Sequence, residues 1–144
     1  RILKSGTSDE RLTWFKVGDY KLLANEVGGM ETTQPEKVSE DIKALLDVYH
    51  AEQSIKVEDI ISFHEAFERI HPFQDGNGRV GRLIMFKECL KHDVMPFIID
   101  AEQHRAFYYR GLNEYRRDKA YLLDTCLSAQ DRYRLYCERL MPNK

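Results

Sequence analysis

A chain of 144 residues that is 42% hydrophobic has material for one domain with a full core and too little for two. Its 22 basic and 24 acidic side chains are interspersed and leave a net charge of −2, so composition offers no polyelectrolyte face for nucleic acid, and no apolar run reaches the length of a membrane span. Cys89, Cys126 and Cys137 are odd in number, lack C-x-x-C spacing and fall within helical patterns, which points to reduced cysteines in a cytoplasmic protein.

In chain order, the start Arg1-Ile2-Leu3-Lys4-Ser5 has no signal-peptide h-region, and the absence of an initial Met suggests a fragment or a processed form. Trp14 and Phe15 read as packing residues. From Gly18 to Thr33, glycines and mixed apolar residues predict a β-hairpin. Pro35 suits the first turn of a helix whose inner face is Val38, Ile42, Leu45, Leu46 and Tyr49. After the polar link Glu52-Gln53-Ser54, a second helix is predicted over Val57 to Ile70, with Val57, Ile60, Ile61, His64, Phe67 and Ile70 at helical spacing.

A third helix follows His71 to Arg82, with Val80, Leu83, Ile84, Phe86, Cys89 and Leu90 as its apolar residues, and Lys91-His92-Asp93 ends it. Met95-Pro96-Phe97 is extended. Asp100-Ala101-Glu102-Gln103 fits a capping box that opens a fourth helix through Tyr108, Tyr109 and Leu112. A fifth runs from about Ala120 to Leu140, carrying Leu122, Leu123, Cys126, Leu127, Tyr133 and Tyr136. The basic cluster Arg105, Arg110, Arg116, Arg117 and Lys119 reads as a solvated helix face. No internal repeat or low-complexity tract is present.

The chemistry concentrates in His71-Pro72-Phe73-Gln74-Asp75-Gly76-Asn77-Gly78-Arg79-Val80-Gly81-Arg82. Proline keeps the residue before it out of the α region, so His71 ends the second helix and can present an imidazole able to accept a proton near neutral pH. Asp75 is a suitable N-cap, and the amides after it form an anion site at the positive end of the third helix. Arg79 and Arg82, three apart in that first turn, oppose the macrodipole unless an anion lies there. The bland alternative pairs them with Asp75, Glu65 or Glu68. Gly76 to Gly81 also satisfies G-x-G-x-x-G, but a helix rather than a strand precedes it, and no G-x-x-x-x-G-K-[ST] string occurs. His64, His71 and Asp75 could imitate a metal hydrolase, yet no third strong ligand stands at a recognised spacing, and His64 reads as a core histidine.

At these residues the chain resembles the Fic (filamentation induced by cAMP) family, whose string H-x-F-x-[DE]-G-N-G-R-x-x-R is matched at every fixed position, in its AMP-transferring branch. The resemblance extends from about Gly18 to Leu140. It implies an all-α Fic fold: a single domain over 1–144, a compact helical bundle around the motif helix (motif 71–82), with a small β-hairpin flap at about 18–33. It further implies a protein adenylyltransferase that moves AMP from ATP to a Ser, Thr or Tyr hydroxyl of a protein, itself included, and releases pyrophosphate. His71 would be the general base and Asp75 the ligand of Mg²⁺. Phe73 would anchor the loop. Gly76, Asn77 and Gly78, with the Asn77 side chain, would hold the α-phosphate, Arg79 the β-phosphate and Arg82 the γ-phosphate. Tyr108, Tyr109 and Leu112 would line the adenine pocket, and the flap strip Ala24, Asn25, Glu26 and Val27 would dock the target's extended segment.

The chain departs from the family in one respect. No segment fits the inhibitory [ST]-x-x-x-E-[GN] string: Glu58 is followed by Asp59, and Thr32 to Glu36 contains Pro35 and precedes Lys37. Either the inhibitory helix was removed upstream of Arg1, or an antitoxin-like partner supplies it, or there is none. The resemblance leaves a homo-oligomer open. Two other readings also stay open, a Fic-fold module that senses nucleotide without catalysis and a phosphotransferase of the Doc type.

Overall fold

The computed structural model describes residues 18–99 and 105–141, so Trp14, Phe15 and the expected capping box at 100–103 lie outside the described residues. The elements are β1 (Glu26–Val27), β2 (Met30–Glu31), α1 (Val38–Ala51), α2 (Val57–Ile70), α3 (Asn77–Lys91), α4 (Arg105–Glu114) and α5 (Ala120–Leu140), with a 3-10 turn at Pro35–Lys37 ahead of α1. The fold is predominantly helical, as the periodicity predicts. Within the described residues it divides into two compact units, one of 18–53 and 66–81, the other of 54–65, 82–99 and 105–141.

In the first unit the predicted hairpin forms as two very short antiparallel strands, Glu26 opposite Glu31 and Val27 opposite Met30. Gly28 (φ 57°) and Gly29 (φ 78°) make the two-residue turn, both in the left-handed region that a type I′ turn demands. Pro35 sits in the 3-10 turn rather than in α1 itself. α1 buries Val38 and Tyr49, half-buries Ile42 and Leu45, and leaves Leu46 exposed, so the expected face is narrower than its apolar residues suggest.

The second unit's core joins Ile60 and Ile61 of α2, Met85 and Cys89 of α3, Phe97 and Ile99 of the extended segment, Tyr108 and Leu112 of α4, and Leu122 and Cys126 of α5. Two corrections arise here. On α3 the inward face is Met85 and Cys89, four residues apart, whereas Leu83 and Leu90 are each 58% exposed; Leu83, two residues from Met85, falls on the opposite side of a 3.6-residue turn. On α5, Thr125, Ala129 and Gln130 are buried while Leu127 and Tyr136 face out. Gln130 is held inside by donating to the Met95 carbonyl at 2.7 Å. The left-handed Asp93 (φ 56°) ends the α3 region at the expected place. α4 and α5 come very close at Gly111, where a Cβ would stand 2.7 Å from the Leu122 Cα. His64 is a core histidine, 1% exposed, with Nε2 2.6 Å from the Tyr108 hydroxyl.

Candidate active site

The site begins where α2 must stop. Pro72 bars the helix from continuing, and the chain turns at His71, whose N–H closes the last helical bond to the Phe67 carbonyl at 2.9 Å. His71 leaves the right-handed α region as expected, but into the left-handed one, at φ 51°. This is the helix-ending αL arrangement usually given to glycine, and histidine is among the few other residues that visit it. Held there, it stores roughly 1–3 kcal/mol of strain, which the neighbouring bonds must sustain.

The ring's orientation fixes its protonation. Nδ1 lies 3.0 Å from the Glu68 carbonyl oxygen, which can only accept, so in the neutral imidazole Nδ1 carries the proton and Nε2 the lone pair. Burial lowers the pKa from the ordinary histidine value; the Glu68 hydrogen bond acts against it, the Lys21 charge with it and the Asp75 charge against it. The ring is therefore a neutral base at pH 7. The buried Glu68 carboxylate stands 3.8 Å from Nδ1.

Six residues after His71, at Asn77, α3 presents its N-terminus. The Gly76 carbonyl accepts the first helical bond, from Val80 N–H at 3.0 Å, so Gly76 (φ 85°) is the N-cap and Asp75 lies one position outside it, a correction to the expected cap. Asp75 is exposed, and its carboxylate accepts the Gly76 N–H. The amides of Asn77, Gly78 and Arg79 then point out of the helix end with no intrahelical acceptor. Asn77 is 1% exposed, and its side chain is committed to the loop: Oδ1 accepts from Phe73 N–H and Nδ2 donates to the Phe73 carbonyl, both at 2.8 Å. Phe73 packs beside Phe67 and Tyr20, with ring centroids 6.3 Å away in each case.

The Arg79 guanidinium folds back over this turn, 3.5 Å from where a Cβ on Gly76 would lie. Arg82 follows three residues later on α3. Arg79 is exposed and Arg82 half-buried.

The hairpin's approach is tied to the same loop. Gln74 Oε1 accepts from the N–H groups of Leu22 and Leu23 at 3.3 and 3.1 Å, and Asn25 Nδ2 donates to the Phe73 carbonyl at 3.1 Å. Of the expected docking strip, Ala24 and Glu26 are exposed, Asn25 and Val27 half-buried. The most deeply placed residue is Lys21, 2% exposed, whose ammonium donates to Asn25 Oδ1, Thr32 Oγ1 and the Ile70 carbonyl. Sequence reasoning passed over Lys21, Thr32, Gln74 and Glu68. The partners of Lys21 and Gln74 in this loop stand about fifty positions away, so no local spacing marks them.

Tyr108 and Leu112 are packed into the second unit's core, and of the three expected adenine-pocket residues only Tyr109, 38% exposed, offers much surface. Among the described residues no three His, Cys, Asp or Glu side chains gather as a metal site, and no helix is long and apolar enough to cross a membrane. Mg²⁺ nevertheless fits a lone exposed carboxylate beside an anion cradle, because it is commonly held by one or two carboxylates with phosphate oxygens and water.

A model of the Fic/DOC family matches residues 1–89, which include the whole of His71 to Arg82. A protein adenylyltransferase of Caenorhabditis elegans is 32% identical over 90 residues, 60% of this chain and 18% of the relative. A probable protein adenylyltransferase of Aquifex aeolicus is 44% identical over 74 residues, 51% of this chain and 22% of the relative. The chain thus spans about a fifth of the length of these curated relatives. A Fic domain containing signaling protein of Bacteroides thetaiotaomicron superposes with a TM-score of 0.71 at 23% identity, over 85% of this chain and 54% of that one, a likeness that speaks to the fold. With the family match covering more than half of the chain, and both the histidine and the helix N-terminus that follows it inside the matched region, the chain belongs to the Fic/DOC family.

Proposed function

We propose that the chain carries a protein adenylyltransferase site: a target Ser, Thr or Tyr hydroxyl attacks the α-phosphorus of ATP, the new O–P bond forms as the α–β bridging bond breaks, and pyrophosphate leaves. The observation that carries this reading is the His71 tautomer. Its Nδ1–H is occupied by the Glu68 carbonyl, so Nε2 is the atom available to take the hydroxyl proton. The nearby Glu68 carboxylate and the exposed Asp75 then offset the charge the ring acquires.

The amides of Asn77, Gly78 and Arg79 supply donors aimed at a phosphate without any reorganisation, and such prearranged dipoles account for much of catalysis in phosphoryl-type transfer. Gly76 contributes the backbone turn that exposes them, its own N–H being covered by Asp75. Arg79 lies over that turn and neutralises the β-phosphate, and Arg82, one helical turn on, the γ-phosphate. Asp75 would hold Mg²⁺, which would supply neutralisation of phosphate charge there. Protein relatives bearing the name adenylyltransferase support the reaction class.

Incubation with Mg²⁺, cell lysate and ATP labelled at either the α- or the γ-phosphate tests this. Label from the α position should appear on protein with the native chain and vanish with His71→Ala. Transfer of the γ label would instead identify a phosphotransferase, and no His71-dependent label at all would leave a nucleotide-sensing module.

A further inference from the structure

Lys21 bonds to both sides of His71. Its ammonium donates to the Ile70 carbonyl at 3.2 Å, and its main-chain N–H donates to the Pro72 carbonyl at 2.8 Å. The residue between them holds the left-handed φ of 51°. A strained residue keeps such a conformation only when its surroundings over-determine it, and here one residue supplies a bond to the carbonyl of the residue on each side. The remaining acceptors of the ammonium, Asn25 Oδ1 and Thr32 Oγ1, both at 2.7 Å, belong to the two sides of the hairpin.

The charge also suits its place. Among the described residues no carboxylate accepts from this buried ammonium, but Ile70 is the last residue of α2, and its carbonyl lies at the negative end of that helix, where a cation is favoured. A neutral residue of similar length would fill the space without meeting the three oxygens that converge there.

Building on the adenylyltransferase reading, we propose that Lys21 is the positioning residue of this site, bracing the left-handed His71 and coupling its ring to the hairpin so that base and hairpin are set together. Lys21 reaches neither substrate nor nucleotide in this role; it acts through the carbonyls of Ile70 and Pro72, the residues on each side of His71. Gln74 and Asn25 extend the same coupling one step further, to Leu22, Leu23 and Phe73.

The test combines two readouts on Lys21→Met, Lys21→Arg and Thr32→Val. The first is activity: Lys21→Met should lower kcat by about 10- to 100-fold, the range expected when a base is displaced by an ångström or so, with KM for ATP changed less than about threefold. Lys21→Arg, which keeps the charge, should recover part of that loss. The second needs no turnover: an NMR titration of the His71 ring and amide exchange at Leu22 and Leu23. Two charges bear on that ring, Lys21 from the hairpin approach and Asp75 from the loop before α3, while Glu68 of α2 faces it with its carbonyl and, at 3.8 Å, its carboxyl group. Losing the Lys21 charge should move the His71 titration upward and speed exchange at both leucines, while Lys21→Arg leaves the titration near its native position. Thr32→Val keeps the lysine and removes one acceptor, so it should speed exchange with a smaller kcat loss, and it serves if Lys21→Met does not fold. An unchanged His71 titration in Lys21→Met, or unchanged exchange in both Lys21→Met and Thr32→Val, would overturn the bracing role. If these spectroscopic changes occur while the native chain transfers no α label, the bracing stands and the reaction assigned to the site fails instead.

Discussion

At His71, backbone strain, tautomer and titration are set by the same few neighbours. The αL turn aims the ring off the α2 axis, the Glu68 carbonyl takes its Nδ1 proton, and burial lowers its pKa. The sign of the pH dependence follows. In the proposed role of general base His71 must be unprotonated before substrate binds, so kcat/KM should rise with pH along a limb centred below the ordinary histidine value of about 6.5 and be flat through neutrality. A limb centred above that value would contradict the environment described. The same depression means that the unfolded chain takes up its proton first, so this group's contribution to stability is lost as pH falls from the unfolded value through the folded one. Removing the base with His71→Ala should cost on the order of 10² to 10⁴ in kcat, the usual contribution of a placed general base.

Among the elements, α4 and α5 give the sharpest packing prediction. Gly111→Ala would put a methyl 2.7 Å from the Leu122 Cα and 2.8 Å from its nitrogen, and backbone atoms in the first turn of α5 cannot yield as a side-chain tip can. Alanine in a helix normally gains about 1 kcal/mol over glycine. Overpacking of this kind costs about 1–3 kcal/mol, so the net effect should be a lower midpoint in urea, while Asn113→Ala on the exposed side of α4 should be neutral or slightly stabilising. Periodicity made α2 legible because both of its ends carry a boundary signal, the polar link before Val57 and the proline after His71. On α3 and α5 it found Cys89, Leu122 and Cys126 but not the whole inner side, because each helix carries apolar residues on more than one side and only the packed neighbours decide: Met85 turns inward and Leu83 and Leu90 out, Ala129 and Gln130 inward and Leu127 and Tyr136 out. The twelve-residue run was readable for the opposite reason, since its functional groups are contiguous in the chain. Lys21 was not, because an isolated lysine beside Tyr20 looks like any surface cation until the fold brings Ile70 to it.

For the molecule as a whole, the cysteines offer a probe of how it opens. Cys89 and Cys126 are fully buried, and burial pushes their thiols up to about 11 and about 12, whereas Cys137 is half-buried. Under native conditions alkylation at neutral pH should therefore reach Cys137 first, and modification of Cys89 and Cys126 should follow the urea unfolding curve of the second unit's core, detected by mass spectrometry. Fast native labelling of either buried thiol would show that this core opens locally. The division into two units has a further bearing, on how the protein is made. The chain passes from one unit to the other three times, after residues 53, 65 and 81, and the last two passages fall inside α2 and α3. Domain boundaries ordinarily lie in linkers where a cut does little harm. Here no single truncation isolates either unit without carrying a piece of the other. During synthesis the first unit lacks its last strand of sequence until residue 81 has emerged, by which time part of α2 already belongs to a unit whose remaining helices have yet to be translated.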